Sequence, residues 1–163
     1  MRQMIIGFSK PTSFKLGAAI IQLFSNKSQF SHVYLRVYTS FADRNLVYQA
    51  SHGCVNCITY SNFLIDNKAV AEFSYNMEDS RYKTAIQYCM DKLQRPYSYS
   101  GLLKIAARRL FGTKKSGDGE QSYICSELAA RVLPEIYERD ADYVQPLDLY
   151  KALSVSTIVM RIL

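Results

Sequence analysis

Apolar residues in the first half of the chain recur mainly with the period of a β-strand. In the segment FSHVYLRVY (Phe30–Tyr38), positions 33, 35 and 37 are apolar, whereas positions 32, 34, 36 and 38 form a mixed second face. This alternation is typical of a strand that buries one face. Similar β-rich runs predict strands at Met4–Phe8, Leu46–Gly53, Cys54–Tyr60 and Ala69–Tyr75.

Helical periodicity follows the first strand and then dominates the second half. After Thr12 or Ser13, either of which can cap a helix, positions 16, 19, 20, 23 and 24 are apolar and share one helical face. Glu78–Gln94 has the same periodicity and stops before Pro96. Further helices are predicted at Ser100–Phe111, Ser126–Leu133 and Pro146–Leu153, and a closing strand at Ser156–Leu163.

The order of these elements predicts an α+β fold in which an antiparallel sheet packs against helices. A length of 163 residues, 48% of them hydrophobic and 21% charged, fits one globular domain over residues 1–163. The sequence contains no run of about 18 apolar residues and no recognisable signal peptide, so a cytoplasmic protein is expected. Host, viral and virion-associated origins all stay open.

The net charge of +6 favours association with anionic surfaces. Basic residues concentrate in the segment KIAARRLFGTKK, at Lys104, Arg108, Arg109, Lys114 and Lys115. This basic segment is either a solvated helix end beside a loop or a docking surface for nucleic acid, lipid headgroups or cell-wall polymer. No nucleic-acid-binding motif accompanies the charge, so nucleic acid is the less favoured partner.

Cys125 is the first candidate for chemistry because it lies at the beginning of an apolar helix. Ser122 can cap this helix and would place Cys125 in or near the first turn. Unpaired N–H groups at a helix N-terminus favour the thiolate, so a lowered pKa and a nucleophilic role are expected. The alternative is a small buried hydrophobic residue, which is what most free cysteines are.

A cysteine nucleophile needs a base, and the chain contains two histidines. His52 precedes Gly53 in an expected turn, where a ring is poorly fixed, whereas His32 lies within a strand. Gln49 on the next strand could hold the far ring nitrogen through its side-chain oxygen. A purely structural histidine is the alternative for His32.

The remaining cysteines do not form a recognisable metal or redox site. Cys54 and Cys57 form a CxxC motif within a β-rich run, where residues three apart point to opposite faces. Zinc would need two further ligands, for which Cys89 and Cys125 are the available thiols. Neither a metal nor another cofactor is therefore expected, and the absence of a signal peptide favours reduced thiols.

Several segments, in order, carry a family resemblance: FSHV, LVYQAS, RPYSYSGLL, YICSEL and VQPLDLYKAL. Together they span about Phe30 to Leu153, and the chain resembles the circularly permuted papain-like hydrolases of the NlpC-like superfamily, in particular the YiiX-like branch. The resemblance implies Cys125 as nucleophile, His32 as general base, Gln49 as the orienting residue and Tyr97 near the oxyanion. Gln49 departs from the acid that is common at the third position.

The resemblance implies a cysteine hydrolase or acyltransferase that cleaves an amide, ester or thioester bond through an acyl-enzyme. Peptide, peptidoglycan and lipid acyl substrates all fit this chemistry. The alternative is a non-catalytic binding module of the same fold that docks an anionic partner through the basic segment. The sequence does not determine the oligomeric state.

Overall fold

The computed structural model describes residues 1–13, 29–99, 122–137, 141 and 144–163. Within these ranges the chain forms six strands and four helices. In chain order they are β1 (Arg2–Pro11), β2 (His32–Thr39), β3 (Arg44–Ser51), β4 (Cys54–Thr59), α1 (Tyr60–Asp66), β5 (Asn67–Met77), α2 (Asp79–Asp91), α3 (Cys125–Val132), α4 (Pro146–Val155) and β6 (Val159–Arg161).

The strands form one sheet in the order β4-β3-β2-β1-β5-β6, and every neighbouring pair is antiparallel. Helix α3 packs against β2 and β3 and also contacts α2 and α4, while α1 packs against β3, β4 and β5. The predicted α+β fold with an antiparallel sheet packed by helices is therefore confirmed. The helices predicted after Thr12 or Ser13 and at Ser100–Phe111 lie outside the described residues.

The main core lies between the sheet and helices α2, α3 and α4. The predicted inward face of β2, at positions 33, 35 and 37, is buried there. A smaller apolar cluster on the opposite face of the sheet joins Tyr34 and Val47 to Phe63 of α1. Helix α3 thus covers one face of the central strands and α1 covers the other.

The β-rich pattern of residues 54–60 predicts a strand through Tyr60 and gives no indication of helix α1. The strand ends instead at Thr59, whose hydroxyl accepts a hydrogen bond from the N–H of Asn62 at 3.3 Å and caps the helix. The helix is short, and burial of Phe63 anchors it to the sheet.

A two-residue turn at His52 and Gly53 joins β3 to β4. Both residues have positive φ, 54° and 88°, as a type I′ hairpin turn requires. The turn pairs Ser51 with Cys54 and sets the register of the hairpin, in which Gln49 lies opposite Asn56. His52 is exposed in this turn, where the sequence placed it.

Glu72 of β5 is the centre of a buried polar cluster on the α1 face. Its carboxylate accepts hydrogen bonds from the hydroxyls of Tyr34 at 2.7 Å and Tyr60 at 3.1 Å. The Arg36 guanidinium donates to both carboxylate oxygens, at 3.2 and 2.7 Å. Burial and the adjacent carboxylate raise the pKa of the Tyr34 phenol. The cluster joins β2 to β5 across β1, which lies between them.

Tyr34 reaches Glu72 by crossing over Gly7 of β1. A Cβ at position 7 would lie 2.0 Å from Cζ of the Tyr34 ring. Gly7→Ala should therefore lower the free energy of unfolding by about 3 kcal/mol, since overpacking against a fixed ring forces displacements. Urea denaturation measures the loss.

Tyr34→Leu provides the matched background, because it removes the far end of the ring. In that background Gly7→Ala should cost clearly less than it does in the wild type. A Gly7→Ala variant within about 0.5 kcal/mol of the wild type would show that this close approach does not constrain the sheet.

Candidate active site

Cys125 is the first residue of α3, as the sequence predicted to within a turn. The N-cap is Ile124 rather than the predicted Ser122, and its backbone is extended, with φ −96° and ψ 162°. Since isoleucine has no capping side chain, the Glu127 carboxylate closes the first turn by accepting from the Ile124 N–H at 3.4 Å. The Ser126 hydroxyl donates to the Val144 carbonyl at 2.7 Å and anchors the helix start.

The segment that precedes α3 is bound to the segment that carries Tyr97. The Tyr123 N–H donates to the Pro96 carbonyl at 3.0 Å, and the Ser98 N–H donates to the Tyr123 carbonyl at 2.9 Å. The Tyr97 N–H in turn donates to the Gly53 carbonyl in the β3–β4 turn at 2.8 Å. These backbone contacts fix the start of α3 relative to the hairpin.

The Cys125 side chain is buried, with 3% of its surface exposed. Burial raises the pKa of its thiol to about 11, although N–H groups of Val33, Ser126 and Cys125 itself oppose the shift. The predicted lowering of the pKa is therefore wrong. The helix N-terminus does favour the thiolate, but loss of hydration outweighs it.

Tyr97 lies close to Cys125, as its proposed position near the oxyanion requires. Burial, and then the neighbouring Cys125, raise the pKa of the Tyr97 phenol above its ordinary value. The phenol consequently stays protonated at neutral pH and can donate a hydrogen bond. The backbone bridge between Tyr97 and Tyr123 places it beside the segment that leads into Cys125, and its catalytic role stays a prediction.

His32 and Gln49 are in direct contact. The ring atom Nε2 of His32 lies 2.7 Å from Oε1 of Gln49, which is the contact expected of an orienting residue. Gln49 is 2% exposed, and the His32 ring stacks on Phe63 of α1 with a centroid separation of 6.2 Å. The imidazole is thus held on one side by an amide and on another by an aromatic ring.

Cys125 lies beside the beginning of β2, the strand that carries His32. The Val33 N–H is directed at the Cys125 thiol, which places the sulfur beside the peptide that follows His32. By strand alternation, His32 belongs to the α1 face and Cys125 approaches from the α3 face. The described structure therefore places His32 and Gln49 on one face of the sheet and Cys125 on the other, and contact between the His32 ring and the Cys125 thiol stays a prediction.

Two buried serines at the same end of the sheet have no obvious sequence signal. Ser9 lies opposite His32 in the β1–β2 register, and the Ser31 N–H donates to the Ser9 carbonyl at 3.0 Å. Within the described residues, neither serine hydroxyl has a hydrogen-bond partner. A buried hydroxyl without a hydrogen-bond partner lowers the folding stability by about 1–3 kcal/mol, and a functional role is one explanation for keeping it.

The CxxC cysteines lie on β4, in the same hairpin as Gln49. Cys57 pairs with Tyr48, and Cys54 pairs with Ser51 beside the turn. No group of three or more His, Cys, Asp or Glu side chains that could hold a metal ion occurs in the parts of the chain that the structure describes. The basic segment from Lys104 to Lys115 lies outside those parts.

Neither a scan against protein-family models nor a search of curated proteins found a match to this chain.

The raised thiol pKa values predict a pH-dependent stability. Cys125 and Cys89 have pKa values of about 11 and about 12 in the folded chain, whereas an unfolded cysteine ionises near about 8.5. The folded chain retains protons that the unfolded chain loses, so stability is complete below about pH 8.5 and falls as the pH rises toward the folded values. Each group contributes up to about 1.4 kcal/mol per pH unit.

Urea denaturation between about pH 7.5 and 10.5 tests this, with Cys125→Ala as the comparison. The free energy of unfolding should fall less steeply with rising pH in the variant than in the wild type, because one thiol with a raised pKa has been removed. Equal slopes would mean that burial does not suppress ionisation of Cys125.

Proposed function

We propose that this chain is a cysteine hydrolase or acyltransferase of the permuted papain-like kind, with Cys125 as nucleophile, His32 as general base and Gln49 as the orienting residue. The observation that carries the proposal is the 2.7 Å contact between His32 and Gln49, one residue before the Val33 N–H that is directed at the Cys125 thiol. A nucleophile, a base and a residue that orients the base are the three parts such chemistry requires.

The raised pKa of Cys125 favours general-base activation over a preformed thiolate–imidazolium pair. The imidazole of His32 takes the thiol proton as the sulfur attacks a carbonyl carbon, and the carbonyl π electrons move to oxygen. The resulting oxyanion is positioned to accept from the Cys125 N–H and the Tyr97 hydroxyl, and one such donor is worth roughly 3 kcal/mol.

Collapse of the tetrahedral intermediate breaks the bond to the leaving group, which receives the proton from the imidazolium. The acyl group is then held on sulfur as a thioester. Water completes hydrolysis, or another nucleophile completes transfer, and His32 again removes the attacking proton. The substrate is an amide, ester or thioester, with peptide, peptidoglycan and lipid acyl groups as the classes that fit.

The partner-binding alternative is favoured by one observation. Cys125 is 3% exposed and its thiol pKa is raised, both of which are ordinary properties of a structural cysteine. In that case the basic segment, Lys104 to Lys115, would dock an anionic partner, and affinity would fall steeply with salt. None of the described helices has the length and apolar character to span a membrane.

Removal of either reactive side chain should abolish turnover. Against a panel of p-nitrophenyl acyl esters, acyl thioesters and peptide amides, Cys125→Ala and His32→Ala should each lose at least about a thousandfold in kcat/KM. The double variant should lose little more, because the two residues act as one unit. Intact mass after brief incubation should reveal an acyl adduct on Cys125.

His52→Asn and Cys54→Ala are the matched controls, since asparagine removes the other histidine while tolerating the positive φ of the turn, and Cys54 is a half-buried cysteine of the same hairpin. Both should retain turnover close to the wild type. Additive losses in the double variant, or an adduct on a cysteine other than Cys125, would contradict the proposed pair.

A further inference from the structure

Asn56 of β4 lies directly opposite Gln49 in the hairpin. Its side chain makes three hydrogen bonds. Asn56 Nδ2 donates to the Ser51 carbonyl at 2.9 Å and to the Cys54 carbonyl at 3.4 Å, which are the residues on either side of the two-residue turn. Asn56 Oδ1 accepts from Gln49 Nε2 at 3.2 Å.

These contacts determine the direction of each hydrogen bond toward His32. Backbone carbonyls only accept, so Nδ2 of Asn56 must face the turn and Oδ1 must face Gln49. An oxygen facing Gln49 requires the amide nitrogen of Gln49 on that side, and Gln49 Oε1 therefore faces the ring. Because Oε1 only accepts, Nε2 of His32 must carry the hydrogen.

We propose that Asn56 is a positioning residue that fixes His32 as the Nε2–H tautomer through Gln49. The neutral ring then has its lone pair on Nδ1, and Nδ1 is the atom that removes the thiol proton. The catalytic consequence rests on the proposed function, whereas the tautomer itself does not.

A purely structural role for Asn56 is the competing explanation, since its two donor bonds also close the turn. Two variants of similar size separate the roles. Asn56→Asp and Asn56→Leu both lose the donor bonds to Ser51 and Cys54, so they share the structural loss. Aspartate still accepts from Gln49 Nε2, whereas leucine does not, so only Asn56→Leu releases the Gln49 amide.

The experiment is a two-bond ¹⁵N–¹H correlation spectrum of the imidazole rings at about pH 8, where an unperturbed ring is neutral. The chain contains two histidines, so the spectrum of His52→Asn, which keeps a residue suited to the positive φ of the turn, assigns His32. In the wild type, the Nε2–H form should exceed the Nδ1–H form by about ten to one or more, the ratio that one ordinary hydrogen bond supports.

Asn56→Asp should keep this preference, and Asn56→Leu should lose most of it. The urea denaturation midpoints of the two variants measure how much stability each loses through the missing hydrogen bonds to the turn. A dominant Nδ1–H form in the wild type would overturn the inference, and so would an unchanged preference in Asn56→Leu. If Asn56→Leu does not fold, Asn56→Ala replaces it, because it also removes the acceptor and adds no bulk.

Turnover on the ester panel gives a separate readout. Asn56→Leu should lower kcat by about 10- to 100-fold with KM nearly unchanged, and Asn56→Asp should recover most of the loss. If the wild type shows the expected Nε2–H tautomer but no turnover and no acyl adduct on Cys125, the proposed function is refuted. The positioning of His32 by Asn56 would still stand in that case. Turnover that is unaffected by Asn56→Leu would refute its positioning role in an active enzyme.

Discussion

The two-residue turn between β3 and β4 is the constraint on which the candidate site depends. Its positive φ angles at His52 and Gly53 hold Ser51 opposite Cys54 and thereby place Asn56 opposite Gln49. A slip of one residue would move each side chain of β4 to the other face of the sheet. The Gly53 carbonyl also accepts from the Tyr97 N–H, so the same turn positions the segment beside Cys125.

The state of Cys125 reflects a competition between helix and burial. A helix N-terminus stabilises a negative charge by about 0.3–1 kcal/mol, and by up to about 2 kcal/mol in partly buried geometry. The pKa nevertheless rises to about 11, so the net effect favours the neutral thiol by about 3 kcal/mol. Burial therefore dominates, and a thiol of this kind reacts only when a base removes its proton during attack.

Local sequence patterns were sufficient for most of the described fold but not for helix α1 or for the pKa of Cys125. The alternation in Phe30–Tyr38 located β2 and its buried face, and Pro146 marked the first residue of α4. The β-rich run of residues 54–60 predicts a continuing strand, so α1 was not expected. In the structure the Thr59 cap ends the strand and begins the helix instead. The pKa of Cys125 depends on packing from distant elements, which no local pattern contains.

Asn56 could have been found by a longer argument from sequence. The dipeptide His52-Gly53 between two β-rich runs is a hairpin signal, and counting outward from a two-residue turn pairs position 49 with position 56. The contact of Gln49 with His32 was expected from its strand position. The turn geometry was needed to establish the register, which makes Asn56 the residue that follows Gln49 in the hydrogen-bonded series from His32.

The amide at position 49 and the amide at position 56 are best understood as parts of one arrangement. A carboxylate presents an acceptor to the histidine whichever oxygen faces the ring, so it needs no neighbour to set its direction. An amide can present either a donor or an acceptor, and only the latter supports an Nε2–H ring. Asn56 removes that ambiguity because the turn carbonyls fix its own amide. A neutral amide also stabilises an imidazolium less than a carboxylate does. Under the proposed function, such an amide suits a Cys125 thiol that begins protonated.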